Sequence, residues 1–316
     1  MILDRPSDIR KTGDDRPVSG LFAFVIRMSG WHQAGVLALA LCLAGLSALP
    51  LELQRRIVDG AIANSDMELL LLLVAIYCGV VLLNGAVKLC LRLYEGWLAE
   101  SAVLYCRSHL AGLYDNEADD DSDDPGSAVS IIRAEIEQVG GFVGNGLSDP
   151  AGHVATMLAV LGYMIVVEPF IALCSAAFLL PQVLLTPLLQ RRVNLLTEKR
   201  ISGLRKLSTV LTAADPPGID TQRLDRQSLI LFRNRMRIFL WKFAGKAVIN
   251  FINALAPIAV LLTGGWMVIR GETELGVVVA FTTGFTRLAD PMRAMIAYYR
   301  LASQTRVKHD KIAEWM

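Results

Sequence analysis

This sequence has few charged residues, and it lacks the common catalytic motifs. Charged residues make up 19% of its 316 residues and hydrophobic residues 53%, which favours a membrane protein over a soluble domain. The Gly–Lys pair at Gly245 lacks the upstream glycine and the following Ser or Thr of a phosphate-binding loop. No G-x-S-x-G elbow is present, and the four histidines have no metal-binding spacing. We therefore expect this chain alone to be no enzyme, and to bind no metal or cofactor.

Cysteine is also scarce. The five cysteines form no CxxC pair, which argues against a zinc or dithiol redox motif, and four lie in or beside apolar runs. We interpret them as thiols in lipid-facing or core positions.

The first residues lack an apolar core. They are polar and contain Pro and Gly, so the sequence predicts no cleavable signal peptide. We expect residues 1–19 to form a disordered cytoplasmic tail.

Six apolar stretches approach the length of about 20 residues that a helix needs to cross a bilayer. The predicted spans are about 35–55, 69–90, 150–167, 169–190, 247–269 and 275–298. Glu168 alone separates the third span from the fourth, which predicts a hairpin with a minimal turn. The sixth is uncharged only over 275–286, so its later, charged part must face protein or water. The predicted fold class is an all-α polytopic membrane protein with six transmembrane helices and long helical cytoplasmic loops.

Lys and Arg are distributed unevenly between these spans. Thirteen lie between Arg191 and Lys246, whereas residues 60–67 have none and the turn near Gly271 has only Arg270. The positive-inside rule then places both termini and the two long loops in the cytoplasm. We expect the membrane to be the bacterial inner (plasma) membrane. After the second span no proline occurs before Pro125, and about 45 helical residues would extend roughly 65 Å, far beyond the hydrocarbon core.

Several motifs occur near the ends of these spans. The first span ends with Pro50 and then Ile57-Val58-Asp59, and the first loop carries Arg107–Leu110, Gly126, Ser130, Arg133 and Glu135. The C-terminal part reads LTGGW at 262–266, GVVVAF at 276–281 and LADP at 288–291. In these motifs residues 20–316 resemble the transmembrane domain of an ABC exporter of the six-helix half-transporter type.

This resemblance implies a membrane subunit that dimerises with an identical or different transmembrane half. Alternating access would be driven by ATP hydrolysis in separate nucleotide-binding domains, with ATP and Mg²⁺ bound on those partners and none on this chain. The bilayer is the other implied partner, and nucleic acid is not one. The alternative is a non-transporting membrane interaction or regulatory subunit, or a truncated, inactive half-transporter.

In that family the loop tips dock on the nucleotide-binding domains, the first through aromatic residues. Here the first tip, 115–124, contains seven acidic residues and no aromatic one. This favours either a solvated acidic loop or electrostatic docking on a basic patch. A Ca²⁺ or Mg²⁺ site is a weaker interpretation, because the spacing of a calcium loop is missing. The candidate coupling residues in the two tips are Asp119, Asp120, Asp121, Gly126, Gly218 and Ile219.

Polar residues inside or beside the spans are the candidates for lining a transport cavity. They are Lys88, Arg92, His153, Asn250, Asn253, Arg287, Asp290 and Arg293. A net positive lining would suit amphipathic or anionic cargo. The alternative is structural: an Arg287–Asp290 ion pair, a Lys88 side chain that reaches the inner headgroups, and interhelical hydrogen bonds from the two asparagines.

Overall fold

The computed structural model describes residues 5–7, 9, 20–117, 135–212 and 221–315, and within these ranges the chain is helical with no strand. The helices are α1 (Leu21–Ser29), α2 (His32–Leu46), α3 (Leu49–Arg56), α4 (Met67–Glu117), α5 (Ile136–Asn145), α6 (Ser148–Val167), α7 (Pro169–Thr212), α8 (Thr221–Ile269) and α9 (Leu275–Trp315). A π-helical turn, Ile57–Ile62, follows α3 directly. The all-α class is therefore confirmed for the part of the chain that the structure describes.

Four helical stretches have the length and apolar composition to cross a membrane. They are His32–Ile62, Met67–His109, Ile136–Val167 and Leu224–Ile269. These stretches correspond to the first, second, third and fifth predicted spans. The fourth and sixth, in α7 and α9, are not among them, so the count of six stays a prediction.

The great length of α4 agrees with the absence of proline from its sequence. It runs for 51 residues, or about 77 Å at 1.5 Å per residue. A bilayer core of about 30 Å leaves more than half of such a helix outside it. Of the five free thiols, Cys106 is buried, whereas Cys42, Cys78 and Cys90 are exposed on candidate spans, as expected of lipid-facing positions.

The chain divides into two compact units, residues 1–168 with 271–316, and residues 169–270. The first unit has a buried apolar cluster in which the inner face of α1 meets α4 and α5. Its members include Leu21, Phe24, Val25 and Met28 of α1, Ala102, Val103 and Cys106 of α4, and Ile136, Val139, Phe142 and Val143 of α5. The short amphipathic α1 is thus fixed by burial of its apolar stripe.

Glycines bring α5 close to α4. A Cβ built on Gly140 would lie 3.1 Å from the Ala99 carbonyl oxygen, and one on Gly144 would lie 3.1 Å from the Ala99 Cβ. Because both side chains are missing, the two backbones approach more closely than larger residues would allow. The close approach places Glu95 of α4 against the start of α6.

A break between α2 and α3 follows from Pro50 in the first turn of α3. The proline ring would clash with the carbonyl of Leu46, where α2 ends, and proline has no N–H to donate to it. The Leu51 N–H then donates to the Ala48 carbonyl at 3.1 Å, in a tighter turn. The Ser47 carbonyl is therefore left without its usual helical donor.

The second unit consists of two long antiparallel helices, α7 and α8. A Cβ on Gly245 would lie 2.9 Å from Leu189 Cδ1, and a Cβ on Gly203 would lie 2.9 Å from Leu231 Cδ2. The Asn234 amide also donates to the Leu196 carbonyl at 2.9 Å. These three contacts fix one register over residues 189–203 of α7 and 231–245 of α8.

Candidate functional site

A buried carboxylate joins α4 to α6. Glu95 is only 4% exposed, and it lies within an apolar candidate span. Its Oε1 accepts a hydrogen bond of 2.5 Å from the Ser148 hydroxyl, and its Oε2 accepts one of 2.7 Å from Arg92 Nη1. Both oxygens are thus satisfied, as burial of a charged group requires.

Asp149 extends this arrangement. Its Oδ1 accepts from Arg92 Nη1 at 3.0 Å, and its Oδ2 accepts from the Asn145 amide at 3.0 Å. We call Arg92, Glu95, Asn145, Ser148 and Asp149 the Glu95 cluster. Its two carboxylates share one guanidinium, which ties the middle of α4 to the turn between α5 and α6.

The same turn is held by α9. The Tyr298 hydroxyl donates to the Gly146 carbonyl at 2.6 Å, and the Tyr298 ring stacks on Phe142 with ring centroids 5.9 Å apart. Movement of α9 relative to α4 would therefore have to break contacts at this turn. No group of three or more metal-ligating side chains occurs in the described residues.

A second polar group surrounds Glu52 of α3. Glu52 accepts hydrogen bonds from Arg56 Nε at 2.7 Å and from the Tyr163 hydroxyl of α6 at 3.0 Å, and it pairs more loosely with Arg55. We call Glu52, Arg55, Arg56 and Tyr163 the Glu52 cluster. It links the end of the first span to α6.

Asp59, in the π-helical turn next to this cluster, caps α9. Its Oδ1 accepts a hydrogen bond of 2.6 Å from the Gly276 N–H in the first turn of that helix. A carboxylate at a helix N-terminus satisfies a free N–H and interacts favourably with the helix dipole. Asp59, the last residue of the motif Ile57-Val58-Asp59, therefore contacts Gly276, the first residue of the motif GVVVAF.

The predicted cavity residues have different local surroundings. Arg92 belongs to the Glu95 cluster, and His153 is half-buried one turn beyond Asp149 on α6. Lys88 and Asn250 are exposed. Asn253 is half-buried, and its Oδ1 has no hydrogen-bond partner within the described ranges. The two asparagines belong to the second unit and the other six predicted residues to the first.

The structural alternative that Arg287 forms an ion pair with Asp290 is wrong. Arg287 is half-buried, and its Nη1 donates to the Ser47 carbonyl at 3.2 Å, which supplies the hydrogen bond lost at the α2–α3 break. Asp290 instead pairs with Arg293, and both side chains are mostly exposed. The three charges of α9 therefore have two different environments.

The predicted coupling residues Asp119, Asp120, Asp121, Gly126, Gly218 and Ile219 lie outside the described residues. Sequence reasoning missed Glu95, Ser148, Asp149 and Tyr163 as members of polar clusters. One signal was present, since Arg92 and Glu95 have opposite charges and are spaced i,i+3 on one helix.

Comparison with known proteins gives a weak similarity. No family model matches the chain. It is 24% identical over 201 residues to the putative multidrug export ATP-binding/permease protein YgaD of Bacillus subtilis (strain 168), an alignment that covers 60% of this chain and 35% of that protein. The chain thus spans about a third of the length of this relative. The similarity supports the resemblance to an ABC exporter transmembrane domain at the level of the family, and together with four apolar helices it indicates an integral membrane protein.

Proposed function

We propose that this chain is a membrane-spanning subunit of an ABC exporter. Nucleotide-binding domains on other chains would hydrolyse ATP and drive alternating access, with ATP and Mg²⁺ bound there. The observation that carries the proposal is the 201-residue similarity to a multidrug export permease protein.

The contact between Asp59 and Gly276 supports this proposal. These residues belong to the two motifs that carry the family resemblance, and a hydrogen bond of 2.6 Å joins them. A common architecture would explain why both motifs occur in one chain and why they meet.

The lengths of the helices also fit the proposed role. With 51, 44 and 49 residues, α4, α7 and α8 are each much longer than a bilayer span requires. The basic residues of α7 and α8 support an arrangement in which the extra length lies in the cytoplasm. Helices of this kind can carry motion from a soluble ATPase domain to the membrane.

Exposed apolar side chains support a second transmembrane half as a partner. Leu195, Leu204, Phe232 and Leu240 lie outside the uncharged stretches of α7 and α8 but are 45–67% exposed. Large apolar groups exposed to water favour burial in an interface. The proposed complex is a homo- or heterodimer of transmembrane halves in the inner membrane, with both termini cytoplasmic.

The test is transport in inverted membrane vesicles from the native cells. Vesicles would be prepared with the chain, with its gene deleted, and with the gene restored, and ATP-dependent accumulation of the dye Hoechst 33342 would be followed by fluorescence. We expect accumulation to fall on deletion and to return on restoration. The purified chain alone should not hydrolyse ATP.

Two outcomes would contradict the proposal. If transport is unchanged for a panel of cationic, neutral and anionic dyes while the chain co-purifies with a complete exporter, the regulatory alternative is favoured. If transport is unchanged and no ATPase-bearing chain co-purifies, the chain is an inactive half.

A further inference from the structure

The uncharged parts of α7 and α8 end at the same level. In α7 residues 169–190 carry no charge and Arg191 and Arg192 follow immediately. In α8 residues 247–269 carry no charge and Lys246 precedes them. Because Gly245 packs against Leu189, these two boundaries lie side by side across the helix pair.

The register places four basic residues around this boundary. Lys242 and Lys246 are spaced i,i+4, so they share one face of α8, and the exposed Asn250 lies one turn further along that face. Arg191 and Arg192 lie opposite on α7. All four basic side chains are exposed. We call Arg191, Arg192, Lys242 and Lys246 the basic girdle.

Neither α7 nor α8 carries a carboxylate close to the girdle. Residues 169–197 and 226–269 contain neither Asp nor Glu. An antiparallel pair of this composition therefore carries four positive charges where an uncharged stretch begins. Such a concentration of like charge attracts an anionic partner.

Aromatic residues accompany the girdle on α8. Trp241 is 42% exposed and Phe243 is 57% exposed, and both adjoin Lys242 in the sequence. The Phe239 and Phe243 rings lie 5.8 Å apart between centroids and are tilted by 38°, and the guanidinium of Arg235 lies 4.6 Å from the centroid of the Phe239 ring. Exposed aromatic rings beside cations are typical of side chains at the level of lipid headgroups.

We propose that the basic girdle is a binding surface for anionic phospholipid headgroups of the inner leaflet. The inference rests on the proposed membrane placement of α7 and α8 and concerns lipid alone, with no step of transport. Phosphate groups would be bound by the four cations, with Trp241 and Phe243 at the level of the headgroups beside Lys242 and Asn250 as a donor one turn deeper.

The position of the girdle favours a lipid over a soluble partner. Arg191 lies 21 residues before the end of α7 at Thr212, a distance of roughly 32 Å along the helix. A protein bound at the far ends of α7 and α8 would not reach the girdle, whereas headgroups lie directly beside the apolar stretch. Polybasic segments adjacent to a membrane helix are a known basis of anionic-lipid recognition.

The experiment measures lipid selectivity by electron spin resonance. The full chain would be reconstituted in vesicles of equal parts phosphatidylglycerol and phosphatidylcholine, each in turn carrying a spin label. For wild type we expect the protein to associate with labelled phosphatidylglycerol at least roughly fivefold more strongly than with labelled phosphatidylcholine. Roughly fivefold is the preference that the attraction of one cation to an anionic surface would give. The variant Arg191→Gln/Arg192→Gln/Lys242→Gln/Lys246→Gln should lose most of this preference.

Two variants serve as controls. Arg200→Gln/Arg205→Gln/Arg226→Gln/Arg233→Gln removes the same number of charges from the same helices, at least roughly 12 Å from the girdle and so beyond a Debye length. It should keep the preference. Arg191→Lys/Arg192→Lys/Lys242→Arg/Lys246→Arg keeps the charge and should also keep it, even if the Gln variant fails to insert.

Three results would overturn the proposal. One is equal association of the two lipids with wild type. Another is an equal loss of preference in both Gln variants, which would indicate only diffuse electrostatic attraction. The third is an unchanged preference in the girdle variant together with an altered monomer–dimer ratio in light scattering, which would assign the girdle to a second copy of the chain. None of these results depends on whether dye transport occurs.

Discussion

The Asp59 carboxylate and the Gly276 N–H, 217 residues apart in the chain, form a hydrogen bond of 2.6 Å. This bond holds the π-helical turn that follows α3 against the first turn of α9. Because Asp59 also lies 4.0 Å from Arg55, the cap is connected to the Glu52 cluster and through it to α6. One carboxylate thus organises three segments of the first unit.

Removal of this carboxylate should weaken the fold. We expect Asp59→Ala to lower the free energy of unfolding by about 1 kcal/mol, because a helix N-terminus loses its cap and a favourable charge. Asp59→Asn, which keeps an acceptor, should cost less. Unfolding by SDS, followed by circular dichroism, measures both. Asp290→Ala is the matched control, since its pair with Arg293 is mostly exposed, and an equal loss there would contradict the assigned role of Asp59.

A side chain at position 276 should also destabilise the fold. A Cβ there would lie 2.5 Å from both the Arg55 carbonyl oxygen and Asp59 Oδ2. We expect Gly276→Ala to destabilise the chain by roughly 1–3 kcal/mol through overpacking. Gly79→Ala is the control, because a Cβ on Gly79 meets no atom within 4 Å and alanine favours a helix. If both variants unfold at the same SDS concentration, the close approach at Gly276 is wrong.

The hydrogen bond between Glu95 and Ser148 should show coupling in a double-mutant cycle. With Glu95→Ala and Ser148→Ala we expect an interaction free energy of about 1–3 kcal/mol, because the bond involves a buried carboxylate. The ion pair Arg107–Glu137 serves as the control, since it joins α4 to the neighbouring helix α5 but is 41% and 67% exposed. Its coupling should stay below about 1 kcal/mol. Equal coupling in the two cycles would show that burial of Glu95 adds nothing.

The predicted orientation can be tested by cysteine labelling. Ser65 lies in the turn before α4 and Ser202 is exposed on α7. In a background without native cysteines, a membrane-impermeant maleimide should label Ser65→Cys in intact cells, and Ser202→Cys only after permeabilisation. The opposite pattern would reverse the predicted topology.

The acidic run of the first loop should contribute to ATPase binding through charge. We expect replacement of Asp119, Asp120, Asp121, Asp123 and Asp124 by Ser to weaken co-purification with the partner ATPase. The weakening should be greater at low salt than at high salt, because a Debye length of roughly 8–10 Å screens such attraction. Association that is unchanged at every salt concentration would make this run a solvated loop.

The local features of the fold followed from the sequence. The absence of proline over a long apolar and amphipathic stretch predicted the length of α4, and the single charge at Glu168 predicted the boundary between α6 and α7. Pro50 was recognised only as part of a motif, although its missing N–H also explains the break between α2 and α3. Such features depend on residues a few positions apart, so the sequence contains them directly.

The polar clusters could not be predicted in the same way. Ser148 reaches Glu95 across 53 residues and Tyr163 reaches Glu52 across 111, so neither pair leaves a periodic trace. The spacing i,i+3 occurs both at Arg287–Asp290 and at Asp290–Arg293. The choice between them depends on a carbonyl 240 residues from Arg287, at Ser47. Whether Lys88, His153, Asn250 and Asn253 line a cavity remains a prediction.

The hydrogen bond from Arg287 to Ser47 makes two costly residues depend on each other. Pro50 interrupts the hydrogen-bond ladder of the first span, and Arg287 puts a cation among the apolar residues of α9, yet the guanidinium donates to the carbonyl that the interruption leaves without its helical donor. Loss of Arg287 alone would leave the Ser47 carbonyl without a hydrogen-bond donor. If Pro50 were replaced and the helix were regular there, the Ser47 carbonyl would accept within the helix and Arg287 would lose its acceptor. We therefore expect positions 50 and 287 to co-vary among related sequences.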